Sequence, residues 1–395
     1  MNSNTVGSIH SRIEKKTGKK VYYVSYRVFD VEKGKKVQTT KHGFKLKKDA
    51  QKFLDEITGE IHSGRYVAPQ KTTVKEVGER WLEKHTAKLR PNTKNWYRVN
   101  FENHIVPAIG KLPIQEVTED ILQQLYDRKR EDGLSPTTVS YIHRTIKMIF
   151  AYAVKHKYVA ENIAEEADLT FDKKEEPEMV ILTQEELIEV LRDKLPWDNS
   201  MAIPMALGGL MGLRRGEVLG LLWSDINFAT GRLTVAAQRT RYDQDDERSK
   251  LKTENSKRTL QIPDIVMEML EYQKHIQLCI ADKTGYSREK VEEGFVCVNL
   301  DLNYFGRAYS PTHFNRIFAR TVKDLGLPYM RFHDLRHSYA TNLIHMQIPL
   351  TTVSKLMGHR SPDITLKIYA HAVDRLSEKD FVKINEAMNQ NLMNA

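Results

Sequence analysis

Near residue 70 the chain changes character, and that change limits it to folds built from more than one body. Before it, Val21 to Phe29 (VYYVSYRVF) is a run of β-branched and aromatic residues, and Lys36 to His42 is a second such stretch after Glu32-Lys33-Gly34-Lys35. A turn containing glycine between two β-prone runs predicts a hairpin. A shorter strand is expected around Ser8 to Ile13, ending at Lys16-Thr17-Gly18-Lys19. Lys47 to His62 then sets Ala50, Phe53, Leu54, Ile57 and Ile61 on one face of a helix. The first 66 residues therefore predict a small α+β domain, three strands backed by one helix, with one sheet face uncovered.

From residue 72 to 166 the signals are helical throughout. They are Val74, Val77, Trp81 and Leu82; Asn92-Thr93 before Trp96 and Val99; Thr118 before Ile121, Leu122 and Leu125; and Ser135-Pro136 opening Val139, Ile142, Ile146, Ile149 and Phe150. An all-α domain of four helices follows. Residues 167–181 include DLTFDKKEEPEM, charged and interrupted by Pro177, and read as a linker. Thr183 with Glu186 is a capping-box start for a last domain, 182–395. A length of 395 residues accommodates two or three domains.

Charge follows the same division. Residues 1–66 hold 15 basic and 7 acidic side chains, so this segment carries +8 of the chain's net +9. A compact basic module on a near-neutral body suggests contact with a polyanion, because neutralising phosphates supplies most non-specific nucleic-acid affinity. A sheet face can enter a DNA groove. Cys279 and Cys297 are the only cysteines, too few for a disulfide framework or a thiolate metal site, which points to a reducing compartment, the cytoplasm. The apolar run Met201 to Leu213 is too short to span a bilayer, so no membrane segment is expected.

The sequence contains no GxxxxGK[ST] loop, no HExxH, no GxSxG and no Cys or His cluster at metal spacing, so neither cofactor nor metal is expected. Its chemistry-bearing side chains gather in GLRRGE (212–217), LKTENSKRTLQIP (251–263), HDLRHS (333–338) and LMGHRSPDITLKIYAH (356–371). In this order the four segments resemble the tyrosine recombinases, above all the three-domain integrases of temperate phages and conjugative transposons. The resemblance places the family's first arginine on Arg214, its β-hairpin lysine on Lys252, its HxxR pair on His333 and Arg336, its later histidine on His359 and its nucleophile on Tyr369. Lys250 and Lys257 share the polar stretch with Lys252, and the fit to the Lys-Thr pattern selects Lys252.

Elementary chemistry supports that set. Displacing one ester oxygen of a phosphodiester builds negative charge on two non-bridging oxygens, and planar guanidinium forks match that geometry. His333 and Arg336, three apart on one helix, share a face. Without a metal-bound water the chain must supply a nucleophile. Tyr369 lies ten residues after His359; its rival, Tyr339, has Ala340 and Leu343 as neighbours in a pattern of core packing. Arg215, Arg331, His337, Arg360 and His371 have no slot to fill and are expected at the surface or on phosphates.

The resemblance implies a mixed α/β, mainly helical, catalytic domain and a clamp of the last two domains around duplex DNA. It implies a site-specific recombinase that integrates and excises a mobile element through a 3′-phosphotyrosine, with Lys252 as general acid. Implied partners are core and arm attachment sites, three further copies in a tetramer, an excision factor and a host DNA-bending protein. Leu376, Phe381, Ile384, Met388 and Leu392 recur at the spacing of an amphipathic C-terminal helix, which the resemblance implies would link the copies and which could instead pack on its own domain. Two other readings remain at this stage: a type IB topoisomerase that rejoins the same strand, and a non-enzymatic DNA-binding regulator.

Overall fold

The structure, a computed structural model, describes residues 7–14, 18–30 (29 and 30 by backbone alone), 35–63, 66–166, 180–243, 247–251, 256–359 and 366. Lys252, Tyr369, Arg360, His371, the charged stretch 168–179, the turn at 32–34 and the expected C-terminal helix lie outside the described residues. The chain divides into two compact units, 1–176 and 177–395.

In the first unit, β1 (Gly7–Ile13), β2 (Lys20–Asp30) and β3 (Lys35–Phe44) form an antiparallel sheet in the order β1-β2-β3. Alternation along β2 sends Val24, Tyr26 and Val28 onto α1 (Lys47–His62), where they meet Ala50, Leu54 and Ile57. On the other face Tyr23 stands between His10 and His42, its ring 5.2 Å from each. Arg12 and Arg27 are exposed. The expected hairpin, its third strand and the helix face are all present.

The helical region contains α2 (Val74–Thr86), α3 (Pro91–Asn100), which runs through a π turn at Phe101–Ile105 into α4 (Val106–Ile109), then α5 (Glu119–Glu131), α6 (Pro136–Lys155) and the short α7 (Ile163–Glu166). Two of the starts expected from sequence are real caps, since Thr118 and Ser135 accept hydrogen bonds from the backbone N–H groups of Ile121 and Thr138, whereas α3 starts ahead of the expected Asn92-Thr93, at Pro91, with Arg90 as N-cap and no side-chain cap. Trp81, Phe101, Leu122, Ile142, Ile146 and Phe150 fill the core between the helices.

In the second unit α8 (Gln184–Glu189) starts at the Thr183 and Glu186 capping box. Every residue of α9 (Ala202–Gly209) is buried, so the apolar run 201–213 is core rather than membrane span. Among the described residues no helix is long and apolar enough to cross a membrane. Next come α10 (Arg215–Leu219), β4 (Ile226–Asn227), β5 (Arg232–Val235), β6 (Ala237–Gln238), β7 (Ser249–Lys250) and β8 (Arg258–Gln261). The helices α11 (Asp264–Thr284), α12 (Arg288–Glu293), α13 (Pro311–Asp324), α14 (Phe332–His345) and α15 (Leu350–Met357) complete the unit. Phe332 at the start of α14 lies against Gly208 of α9, where a Cβ would come within 2.8 Å of its ring.

The strands refine the expected lysine hairpin. β5 pairs with β8 and β6 with β7, so one outgoing strand faces a returning strand through two ladders. Between Val235↔Arg258 and Ala237↔Lys250 the outgoing side has Ala236 alone, whereas the returning side has residues 251–257. Lys252 itself lies outside the described residues.

Candidate active site

The described part of the site is built where α14 passes the ends of α9 and α15. The last carbonyls of a helix have no intrahelical partner and attract cations. α15 ends at Gly358, whose φ of +61° turns the chain sharply and leaves the carbonyls of Met357 and Gly358 available. Arg336 donates from Nη2 to the Met357 carbonyl and from Nη1 to the Gly212 carbonyl. Arg214 donates from Nη2 to the Gly358 carbonyl at 3.0 Å. The two arginines expected as a phosphate clamp thus converge on one helix end.

A carboxylate that sequence reasoning passed over holds them. Glu217, three residues after Arg214 on α10, has a side chain only 2% exposed. Its Oε2 accepts the Arg214 backbone N–H at 2.9 Å, and its Oε1 accepts Arg214 Nη1 at 2.8 Å. Arg258, the first residue of β8, adds a fork: Nη1 to Oε1 at 3.2 Å and Nη2 to Oε2 at 2.9 Å. Arg336 Nη1 lies 3.9 Å from Oε2. Burial alone would raise the carboxyl pKa, but Arg258, Arg214 and Arg336 outweigh it and hold Glu217 below the usual range. Burial, then Arg214, pushes the Arg336 pKa well down, opposed by Glu217. Three guanidiniums around one carboxylate leave the pocket strongly cationic. A guanidinium nitrogen bears two hydrogens, so a nitrogen bonded to one carbonyl can also serve a phosphate oxygen.

Two imidazoles flank this charge. His333, on α14 one turn before Arg336, has an exposed edge, yet burial of the remainder, with His337 and Arg336 beside it, lowers its pKa to about 4. His359, half-buried just beyond α15, is driven to about 3 by burial, Arg336 and Arg214. Both are neutral at pH 7, and a neutral imidazole can accept a proton on one nitrogen while donating from the other. His337, expected at the surface or on phosphate, instead lies partly buried with its ring edge-on to His333 at 4.5 Å. Arg215 bonds Asn315 at 2.8 Å, and Arg331 pairs with Asp334 at 2.9 Å at the start of α14.

Tyr339 packs with Ala340, Leu343, Val353 and Met357, as its neighbours in sequence suggested. Burial raises its pKa, against the opposing pull of Arg258 and Arg336. Among the described residues no group of three or more His, Cys, Asp or Glu side chains could hold a metal ion. Glu217 and Arg258 stood within the quoted GLRRGE and LKTENSKRT segments. Their spacing to the arginines was visible, but the pairing of the two segments was not.

Paired arginines at a helix end beside neutral imidazoles are the equipment of a phosphoryl-transfer site. Three family models match the chain: the arm DNA-binding domain over residues 11–61, the phage integrase central domain over 74–169, and the phage integrase family over 182–375. A tyrosine recombinase XerC-like protein of Caldanaerobacter subterraneus is 28% identical over 94% of this chain and 97% of its own length. Among solved structures, the Tn1549 transposon integrase in complex with transposon right-end DNA superposes with a TM-score of 0.63 at 20% identity, covering 80% of this chain and 99% of that one. A lambda integrase tetramer bound to a Holliday junction gives a TM-score of 0.56 at 18% identity, covering 93% and 96%. The chain belongs to the phage integrase family and is a tyrosine-type site-specific recombinase.

Proposed function

We propose that this protein integrates and excises a mobile element by cutting and rejoining DNA through a 3′-phosphotyrosine on Tyr369. The observation that carries the reading is the convergence of Arg214 and Arg336 on the end of α15, with His333 and His359 beside them. Tyr369 attacks the scissile phosphorus, a P–O bond forms to the tyrosine, and the bond to the 5′-oxygen breaks. Arg214 and Arg336 stabilise charge on the non-bridging oxygens. Lys252 protonates the leaving 5′-oxygen, and His333 and His359 orient the phosphate and take the tyrosine proton. A 5′-hydroxyl from a partner duplex reverses the step, so the ester energy is conserved without ATP.

The division of labour follows the sequence: 1–66 on arm sites, 72–166 and 182–395 on core sites, with 167–181 as linker. The match to an arm DNA-binding model and the +8 balance of residues 1–66 support the first assignment. A homotetramer on DNA is the working assembly, joined by the segment after Val373 and aided by an excision factor and a host DNA-bending protein. Its place is the nucleoid of a bacterial cytoplasm, where its substrate lies.

Trapping tests the core of this. On a nicked duplex that loses its short 5′-hydroxyl fragment, the wild-type protein becomes linked to the 3′ end, and Tyr369→Phe, which removes one oxygen, does not. A Phe variant that still forms the adduct would transfer the role to another tyrosine, Tyr339 first.

A further inference from the structure

The site contains a third buried guanidinium that the clamp does not require. Arg258 has a side chain only 7% exposed and closes a two-pronged contact on Glu217, with Nη1 also reaching the Ser256 carbonyl at 3.2 Å. Gly358 lies directly against it, since a Cβ there would come 3.1 Å from Arg258 Nη1. With Arg214 supplying its backbone N–H and Nη1, Glu217 accepts four hydrogen bonds, two on each oxygen. Four is roughly the number that an ionised carboxylate can accept.

That saturation has an electrostatic consequence. Glu217 fixes Arg214 in place, but its negative charge would also cancel one of the two positive charges offered to phosphate. In a poorly solvated pocket this cancellation is weakly screened, because effective dielectric constants there fall well below that of water. A further cation on the same carboxylate, Arg258, removes the conflict. The acid can then hold Arg214 while Arg214 and Arg336 keep their combined charge for the phosphate.

We propose that Arg258 is a positioning residue for DNA cleavage, which acts by neutralising Glu217 so that Arg214 and Arg336 face the scissile phosphate with undiminished charge. The proposal rests on the reading of those two arginines as the phosphate clamp.

A charge-deletion cycle in the full-length protein tests it, read as single-turnover cleavage of a nicked duplex carrying a core site that the wild-type protein cuts. R258M leaves Glu217 uncompensated and slows cleavage by roughly tenfold or more, below the 10² to 10³ typical of losing a direct donor. E217Q in the wild-type background also slows it, because Arg258 then lacks its counter-charge. Placed on R258M, however, E217Q removes the charge that Arg258 had cancelled, and the double variant is faster than R258M. Core-DNA affinity stays within about threefold, a smaller change than the loss of one phosphate contact would give. A double variant as slow as R258M, or slower, overturns the proposal; so does a gain found only where R258M melts below the assay temperature and the double variant does not, since relief of a buried unpaired carboxylate then restores folding rather than chemistry. If R258M does not fold, R258Q replaces it in the same cycle and is read in the same way. Near-normal cleavage by Arg214→Lys and Arg336→Lys would instead remove the clamp reading itself, an outcome separate from failure of the cycle.

Discussion

A Cβ placed on Gly212 would fall 2.4 Å from Cδ1 of Tyr339, and Gly212 holds φ at +68°. These two residues set how closely the loop before Arg214 approaches α14, and so whether the Gly212 carbonyl can receive Arg336. Gly212→Ala meets both the ring and an unfavourable backbone conformation, at about 1–2 kcal/mol for the backbone and a further 1–3 for overpacking. We expect a lower melting temperature and slower cleavage. Unchanged melting and rate would show that the loop relaxes without disturbing Arg336.

Arg214→Lys and Arg336→Lys keep the charge and lose the fork. Each is expected to slow cleavage by roughly 10² to 10³ while core-site binding falls far less. The comparison needs single-turnover rates beside equilibrium binding, so that weaker binding is not mistaken for slower chemistry.

Lys252→Ala should slow cleavage of an ordinary duplex. A substrate with sulfur at the bridging 5′ position should restore the rate, because a thiolate leaves without a proton. If sulfur rescues Lys250→Ala or Lys257→Ala instead, the acid is one of those residues.

His333 and His359 predict a one-sided pH dependence of stability. Their folded pKa values, about 4 and about 3, lie below the usual 6.5, so between those limits the unfolded chain binds protons that the folded chain does not. Stability in the absence of DNA therefore falls as pH drops below about 6.5, and the loss continues until the folded values are reached. Melting temperatures recorded from pH 7 to 4 should decline less in His359→Gln than in wild type. Parallel curves would assign the decline to other groups.

Removing residues 1–66 deletes a balance of +8 and the whole three-stranded sheet, but none of the six proposed catalytic residues. The shortened protein should still cleave isolated core sites and lose binding to arm repeats. In the intact protein, arm affinity should fall by about 0.9 log units per log unit of salt for each phosphate neutralised. Arm binding that survives the deletion would place that contact elsewhere.

Sequence alone determined whatever depends on near neighbours. Periodicity set the strands of the first 44 residues, the face of α1 and the capped starts at Thr118, Ser135 and Thr183, because side-chain direction repeats every two or 3.6 residues whatever lies around it. The resemblance carried by the order of the motifs singled out Arg214, His333, Arg336 and His359. Tertiary structure decided what those residues touch. The Glu217 and Arg258 fork joins positions 41 apart, and the Arg214 contact with the Gly358 carbonyl joins positions 144 apart. It also turned His337 inward, since its neighbours on α14 give no sign that α15 ends beside them. Such contacts depend on how α10, β8, α14 and α15 pack, and a buried charge persists only where that packing surrounds it with partners.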